Sequence, residues 1–222
     1  MDLTERVTRV IDLLSGEYAD IRSELDHRTN WELLVATILS AQCTDVRVNQ
    51  VTPELFARWP RPADLAAAEH GEVEKVIRPT GMFRRKASSL RAAAKILDKD
   101  HGGEVPADMD ALVALPGVGR KTAKVVLGQA FGITAGVVVD THVRRLARRL
   151  GLASEEDAER IATELESLVP RTEWTAFSMR LILHGRRVCT ARSPKCDACV
   201  LNEVCPRLGV LTRTTSPKPE SA

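Results

Sequence analysis

Cys189, Cys196, Cys199 and Cys205 follow one another in the spacing C-x6-C-x2-C-x5-C near the end of this chain. Four thiolates gathered so locally can enclose one metal centre, and either zinc or an iron-sulfur cluster suits them chemically. Paired disulfides are the weaker reading. The N-terminus carries Asp2, Glu5, Arg6 and Arg9 where a secretory signal would be apolar, and a chain kept inside the cell meets a reducing milieu. Within the cysteine loop, Arg192 and Lys195 can project from a metal-braced frame towards phosphates. Cys43 stands apart and reads as a small buried apolar residue, since no base lies beside it.

A second group lies upstream. Leu115-Pro116-Gly117-Val118-Gly119-Arg120-Lys121-Thr122-Ala123 sets two glycines where a tight hairpin runs into a helix. Gly117 and Gly119 let the backbone bend sharply and approach another backbone closely. Beyond them, the first amides of the helix have no intrahelical acceptor, so a phosphate oxygen is their natural partner. Such a contact positions a duplex without reading its sequence. A plain Pro-Gly joint between helices is the bland alternative, and the longer match, with its lysine and the small Ala123, speaks against it.

Lys121 stands at that hairpin, and Val139-Asp140-Thr141-His142 follows about twenty residues later. A primary amine attacking the anomeric carbon of a nucleotide can expel the base and leave a Schiff base, which permits β-elimination of the 3′ phosphate. The amine must be neutral, and an ordinary lysine is neutral in about one molecule in a thousand near pH 7.4. Closing that gap takes about 4 kcal/mol, within reach of desolvation and neighbouring cations; Arg120 and Lys124 are the candidates. A carboxylate beside the amine works the other way, so Asp140 is better suited to stabilising the cationic sugar and accepting a proton. Asp140 is also a good N-cap for a helix starting at Thr141, and both roles can coexist. Lys121 also has a simpler role open to it, as a point charge on phosphate. His142 reads as structural.

The elements that must position these residues are helical. Aromatics make up 4% of the 222 residues and β-branched runs are few, so propensity favours helix and the fold class is all-α. Val7, Val10, Ile11 and Leu14 give a stripe on a helix over 4–15. Thr29 or Asn30 caps another that carries Leu33, Leu34, Ile38 and Leu39. Helical segments follow around 46–58, 62–69, 71–78 and 84–100, punctuated by Pro53, Pro60, Pro62, Pro79 and Gly81. A helix from Asp108 ends at Leu115, and another opens at Lys121. Val137–Val139 reads as an extended connector. A basic helix runs from Thr141 to Leu150, a helix over about 155–169 starts from a Ser154-x-x-Asp157 cap, and the last spans about 173–185. After Pro206 the chain reads as a frayed tail.

The charge balance, 32 Lys and Arg against 30 Asp and Glu, gives a net +2 and argues weakly for any polyanion. Its distribution says more. Arg84, Arg85, Lys86, Arg91 and Lys95 form one basic cluster, Arg120, Lys121 and Lys124 a second, and Arg144, Arg145, Arg148 and Arg149 a third. This suits a face that follows a phosphate backbone. No apolar run approaches the roughly 20 residues that span a bilayer, so no membrane partner is expected.

The hairpin at 115–123, Val139-Asp140-Thr141-His142, Leu183-His184-Gly185-Arg186-Arg187-Val188-Cys189 and the four-cysteine loop together resemble the endonuclease III family over about residues 1–207. The resemblance implies two helical lobes with DNA between them. One is a six-helix barrel with the helix-hairpin-helix over 20–133; the other joins 1–19 to 134–207; 208–222 is a flexible tail. It implies a [4Fe-4S] cluster on the four cysteines, Lys121 as nucleophile and Asp140 as its catalytic partner. The activity it implies is a bifunctional DNA glycosylase/AP lyase, acting as a monomer on damaged double-stranded DNA and removing oxidised pyrimidines such as thymine glycol. The setting is cytoplasmic and nucleoid-associated in a bacterium.

Two further segments match the family by position. Leu39-Ser40-Ala41-Gln42 is similar to the stretch whose glutamine fills the gap left by an extruded nucleotide, and Thr80-Gly81-Met82 to the turn that offers an apolar wedge. Flipping a base requires replacing lost stacking, which an apolar side chain beside an amide can do. Met82 stands where leucine is usual, Cys43 where alanine is common, and Ser193 where a basic residue is frequent. Two rivals remain at this level: the adenine-specific mismatch glycosylases, which typically lack the hairpin lysine and carry an extra C-terminal domain, and a non-catalytic module that binds duplex and cuts nothing.

Overall fold

The computed structural model describes residues 1–19, 21 and 23–210. Eleven α-helices run through them: α1 Leu3–Glu17, α2 Asn30–Leu39, α3 Asp45–Arg58, α4 Pro62–Ala67, α5 His70–Ile77, α6 Phe83–Asp100, α7 Met109–Ala114, α8 Arg120–Phe131, α9 Thr141–Arg149, α10 Ala158–Leu168 and α11 Trp174–Arg187. No strand occurs among the described residues, so the all-α expectation holds. The chain divides into two compact units. The first comprises Asp20–Val138 with Pro170–Met179, and the second Met1–Ala19, Val139–Val169 and Arg180–Ala222.

The first unit is organised around α2, which is buried from Trp31 to Leu39 and packs against α3, α6 and α8. A helix apolar on every side belongs at the centre of a core. Its start is fixed by local chemistry: the Thr29 hydroxyl accepts from the Glu32 amide at 3.1 Å, and the Glu32 carboxylate accepts from the Arg28 amide at 2.7 Å and from the Arg28 guanidinium at 2.9 Å. A buried carboxylate is tolerable only when paired in this way.

One expected element boundary changes, that of α10. The segment expected over 46–58 is α3, Asp45–Arg58, continuous through Pro53. The proline removes one backbone bond, a cost of roughly 3 kcal/mol, and burial of Val48, Val51, Leu55 and Phe56 against the core offsets it. The cap of α10 is Asp157, whose carboxylate accepts from Glu159 N and Arg160 N. Ser154 instead donates from its hydroxyl and amide to Glu164 at 2.7 and 3.1 Å, so the helix starts at Ala158.

Val137–Val139 is the extended connector expected, and side chains meet its buried backbone: Ser178 Oγ accepts from Val138 N at 2.9 Å. In the second unit α1 is tied down through Arg6, whose guanidinium donates to Leu150 O at 3.3 Å. The chain is still engaged after Pro206, for Leu208 N donates to Arg149 O and Val210 lines the cavity of the cysteine loop. The rest of the expected tail, 211–222, lies outside the described residues.

Close packing of α8 onto the start of α11 depends on one glycine. A Cβ on Gly128 would lie 2.6 Å from Thr175 Cγ2. Gly128→Ala should therefore destabilise the protein by about 1–3 kcal/mol through overpacking, read by urea unfolding. Adding Thr175→Ala, which removes the obstructing atoms, should recover most of the loss; additive losses would show that the contact is not the cause.

Candidate functional site

The hairpin before α8 is built as the glycines suggested, though each glycine answers a different need. Gly117 has φ +86°, and a Cβ there would sit 2.9 Å from Ser89 Cβ, so both conformation and packing demand glycine. Gly119 has φ −93° as the N-cap residue of α8, and nothing lies within 4 Å of where its Cβ would be. Its place in the turn leaves an exposed, open surface directly over the helix N-terminus. Six helices (α1, α2, α3, α7, α9 and α10) are capped by an Asp or Thr side chain, whereas α8 has no side-chain cap. Its first amides are left for an external acceptor, with the positive end of the helix dipole behind them.

Lys121 is exposed in the first turn of α8 and forms no ion pair with a described residue. Arg120 is exposed beside it, while the Lys124 ammonium reaches Val137 O at 3.3 Å. In the second unit Asp140 caps α9: its Oδ1 accepts from His142 N and Val143 N, both at 2.8 Å. His142 packs against Gly185, where a Cβ would lie 2.8 Å from His142 Cβ, and Arg145 Nη2 lies 3.1 Å from its Nδ1. Burial holds the imidazole below its usual pKa, with Asp140 acting against that shift, so the ring is a neutral acceptor in the structural role expected.

Gln42 and Met82 are both exposed, and both have left-handed backbones, with φ +53° and +46°. Among the described non-glycine residues only Arg207 shares that conformation. Such strain, of order 1–3 kcal/mol per residue, persists where the surroundings impose it. Met82 is also the N-cap residue of α6 and supplies no side-chain cap. One residue of the first basic cluster is misplaced by sequence: Lys86 is buried, on the face of α6 that carries Ala87 and Leu90, so it contacts no solvent phosphate.

None of the four cysteines is in a disulfide, and all line one cavity with Arg149, Lys195, Asn202 and Arg207. Four thiolates lining one cavity are the donor set that either a tetrahedral zinc or an iron-sulfur cluster takes. Donors converge on them: Arg149 Nη1 donates to Cys189 Sγ at 3.2 Å, and Arg207 N donates to Cys205 Sγ at 3.4 Å. His184 Nε2 lies 3.2 Å from Cys199 Sγ while its Nδ1 lies 3.1 Å from Tyr18 Oη. A single neutral tautomer satisfies both, the tyrosine hydroxyl donating to Nδ1 and Nε2–H to sulfur. Burial pushes this imidazole down to about 4. Donors aimed at sulfur are what thiolate ligands require. Arg192 and Lys195 are exposed on the loop, as expected.

The third basic cluster is divided between structure and surface. Arg145 donates to Cys189 O at 3.1 Å and Gly185 O at 2.9 Å, and Arg149 donates to Thr190 O at 2.8 Å and Ala191 O at 2.9 Å. Both guanidiniums are committed to the cysteine loop; Arg144 and Arg148 face solvent. Sequence reasoning missed these roles, and that of His184, because their partners lie far along the chain.

Two family models match. Residues 35–171 fit the HhH-GPD superfamily of base excision DNA repair proteins, and residues 189–205 fit the iron-sulfur binding domain of endonuclease III. The chain is 50% identical over 202 residues to endonuclease III of Synechocystis sp., covering 91% of this chain and 92% of that protein. It is 43% identical to endonuclease III of Bacillus subtilis, covering 88% and 89%. A solved non-covalent endonuclease III–DNA complex superposes with TM-score 0.87 at 39% identity, over 93% of this chain and 97% of that one. A trapped covalent endonuclease III–DNA intermediate matches equally. The chain is thus a helix-hairpin-helix base excision repair protein, and it belongs to the endonuclease III family. It is a DNA glycosylase/AP lyase acting on damaged DNA, and its cofactor is a [4Fe-4S] cluster.

Arg149 is the residue on which the cysteine loop leans most. Arg149→Met keeps the length and removes three bonds, one of them to a cluster ligand. It should cost about 3 kcal/mol and make the visible absorption of the holo-protein vanish at a lower temperature. An unchanged midpoint would show that the loop is held by other contacts.

Proposed function

We propose that Lys121 is the nucleophile, Asp140 its partner, and oxidised pyrimidine the substrate class. The observation that carries this reading is the exposed, uncapped N-terminus of α8, which offers main-chain amides for a phosphate and an unpaired primary amine in the same turn. The neutral amine attacks the anomeric carbon, the glycosidic bond breaks, and the base leaves with its electron pair. Loss of a proton from nitrogen and opening of the sugar give an imine. Removal of a C2′ proton then expels the 3′ phosphate, and water releases the lysine. Asp140 contributes a negative charge while the sugar is cationic, and takes up a proton.

Gln42 and Met82 enter the duplex where the damaged nucleotide leaves it, one supplying an amide and the other an apolar surface. The longer, unbranched thioether of Met82 adapts to the gap more readily than leucine. Gly117 and Gly119 bring the backbone to the phosphates, and Arg192 and Lys195 hold the strand from the cluster loop. The enzyme works as a monomer on chromosomal DNA, in a bacterium in the cytoplasm; its curated relatives named above are bacterial. No helix among the described residues is long and apolar enough to cross a membrane.

Incubation with a duplex bearing thymine glycol, followed by borohydride, should yield a covalent protein–DNA complex that is absent with Lys121→Ala. A folded, DNA-binding wild type that cannot be trapped would favour the non-catalytic module.

Asp140 permits a sharper separation because its cap is visible. Asparagine caps helices as well as aspartate, so Asp140→Asn should leave stability within about 0.5 kcal/mol and DNA affinity intact while lowering base release. Asp140→Ala should lose the same activity and a further ~1 kcal/mol of stability. Equal activity of Asn and Asp variants would reduce Asp140 to a cap.

A further inference from the structure

We propose that Lys86 is a positioning residue for base eversion: its buried ammonium ties together the two turns that carry Gln42 and Met82. Lys86 Nζ donates to Leu39 O at 2.9 Å and to Thr80 O at 2.7 Å. Leu39 is the last residue of α2, three before Gln42; Thr80 lies two before Met82. The Lys86 amide donates to Met82 O at 3.0 Å as well. That last bond is the first backbone bond of α6, which any residue would make; the ammonium itself holds two main-chain carbonyls, one in each of the segments whose side chains must enter the same gap at the same moment.

The arrangement is not what core packing alone selects. Lys86 is 5% exposed, and a methionine would occupy the same volume without a charge to desolvate. What the ammonium adds is direction. It meets the Leu39 carbonyl at the negative end of α2, where helix carbonyls lack intrahelical donors. It then spans to a second turn 41 residues away in sequence. Gln42 and Met82 are held in left-handed conformations that neither residue type favours, and an anchor beside each turn is what keeps such a backbone from relaxing. Burial lowers the basicity of Lys86, and nearby Cys43 acts in the opposite sense. Cys43 itself packs against the same core.

The proposal rests on the reading that Gln42 and Met82 enter the duplex. Its test uses the cluster-loaded protein and Lys86→Met, with the visible absorption and melting temperature recorded first. Base release from a duplex containing thymine glycol is measured under single-turnover conditions, well below the melting temperature. Strand cleavage of a single-stranded abasic oligonucleotide, which needs no eversion, is measured in parallel. Misplacement by about 1 Å can cost on the order of 100-fold, so duplex base release should fall about 10- to 100-fold while single-strand cleavage stays within about twofold. The Lys86→Met/Met82→Ala double variant should release base no more slowly than Met82→Ala alone, because both changes disable one device.

Equal losses on duplex and single strand, unchanged duplex rates, or multiplicative losses in the double variant would each overturn the proposal. If Lys86→Met does not fold, Lys86→Gln, which keeps one donor at shorter reach, is put through the same comparison and judged by the same outcomes. A wild type that releases no base would sink the enzymatic reading instead, and is seen before any variant is made.

Discussion

A cation buried against main-chain carbonyls holds the irregular parts of this protein in both of its units. Helices satisfy their own backbone, but the turns after α2 and before α6, and the loop of cysteines, contain carbonyls that no helix or strand pairs. Lys86 meets two of these in the first unit. Arg145 and Arg149 meet three in the cysteine loop of the second, and a fourth, Gly185 O, in the last turn of α11. Charge-assisted bonds of this kind are stronger than neutral ones, and losing one partner strands the other in a poorly solvated place. The functional segments are thus loops in shape while being fixed from beneath.

Helix caps differ between elements. An Asp or Thr side chain caps α2, α3, α7 and α10, through Thr29, Thr44, Asp108 and Asp157. At α8 that position is Gly119, and the amides are left facing open space. Glycine in place of a capping side chain forfeits only roughly a few tenths of a kcal/mol. In the proposed DNA contact it gains an anion site whose affinity does not depend on base sequence, which is what an enzyme searching any duplex for a lesion requires.

How much of this was legible from residue order depends on the range of the interaction. Helix periodicity, the Thr29 and Asp140 caps, the glycine hairpin and the cysteine spacing are local, and each is found where local rules put it. The misreadings are all long-range. Ser154 looked like a cap until Glu164, ten residues on, claimed its hydroxyl. Lys86, Arg145 and Arg149 looked like surface charge, since nothing in their neighbourhoods reveals Leu39 O for the first or the carbonyls 40 or more residues ahead for the other two. The strain at Gln42 and Met82 is equally invisible in sequence, because neither residue type announces a left-handed backbone.

Under the role proposed for Asp140, helix α9 shows why a metal centre with no obvious part in bond breaking can still matter to the chemistry. Asp140 begins the helix, and its Oδ1 is spent on two amides, so the orientation of the carboxylate is the orientation of the helix. Further along, the inner face of the same helix holds the cysteine loop through Arg145 and Arg149. The loop has one short turn of regular structure, Cys196–Ala198, and cannot brace a helix unaided; a cluster bound by all four thiolates makes it rigid. The rigidity reaches Asp140 through one helix of nine residues. Placing a charge to within a fraction of an ångström demands such backing, because the stabilisation of a cationic sugar falls off with both distance and misalignment.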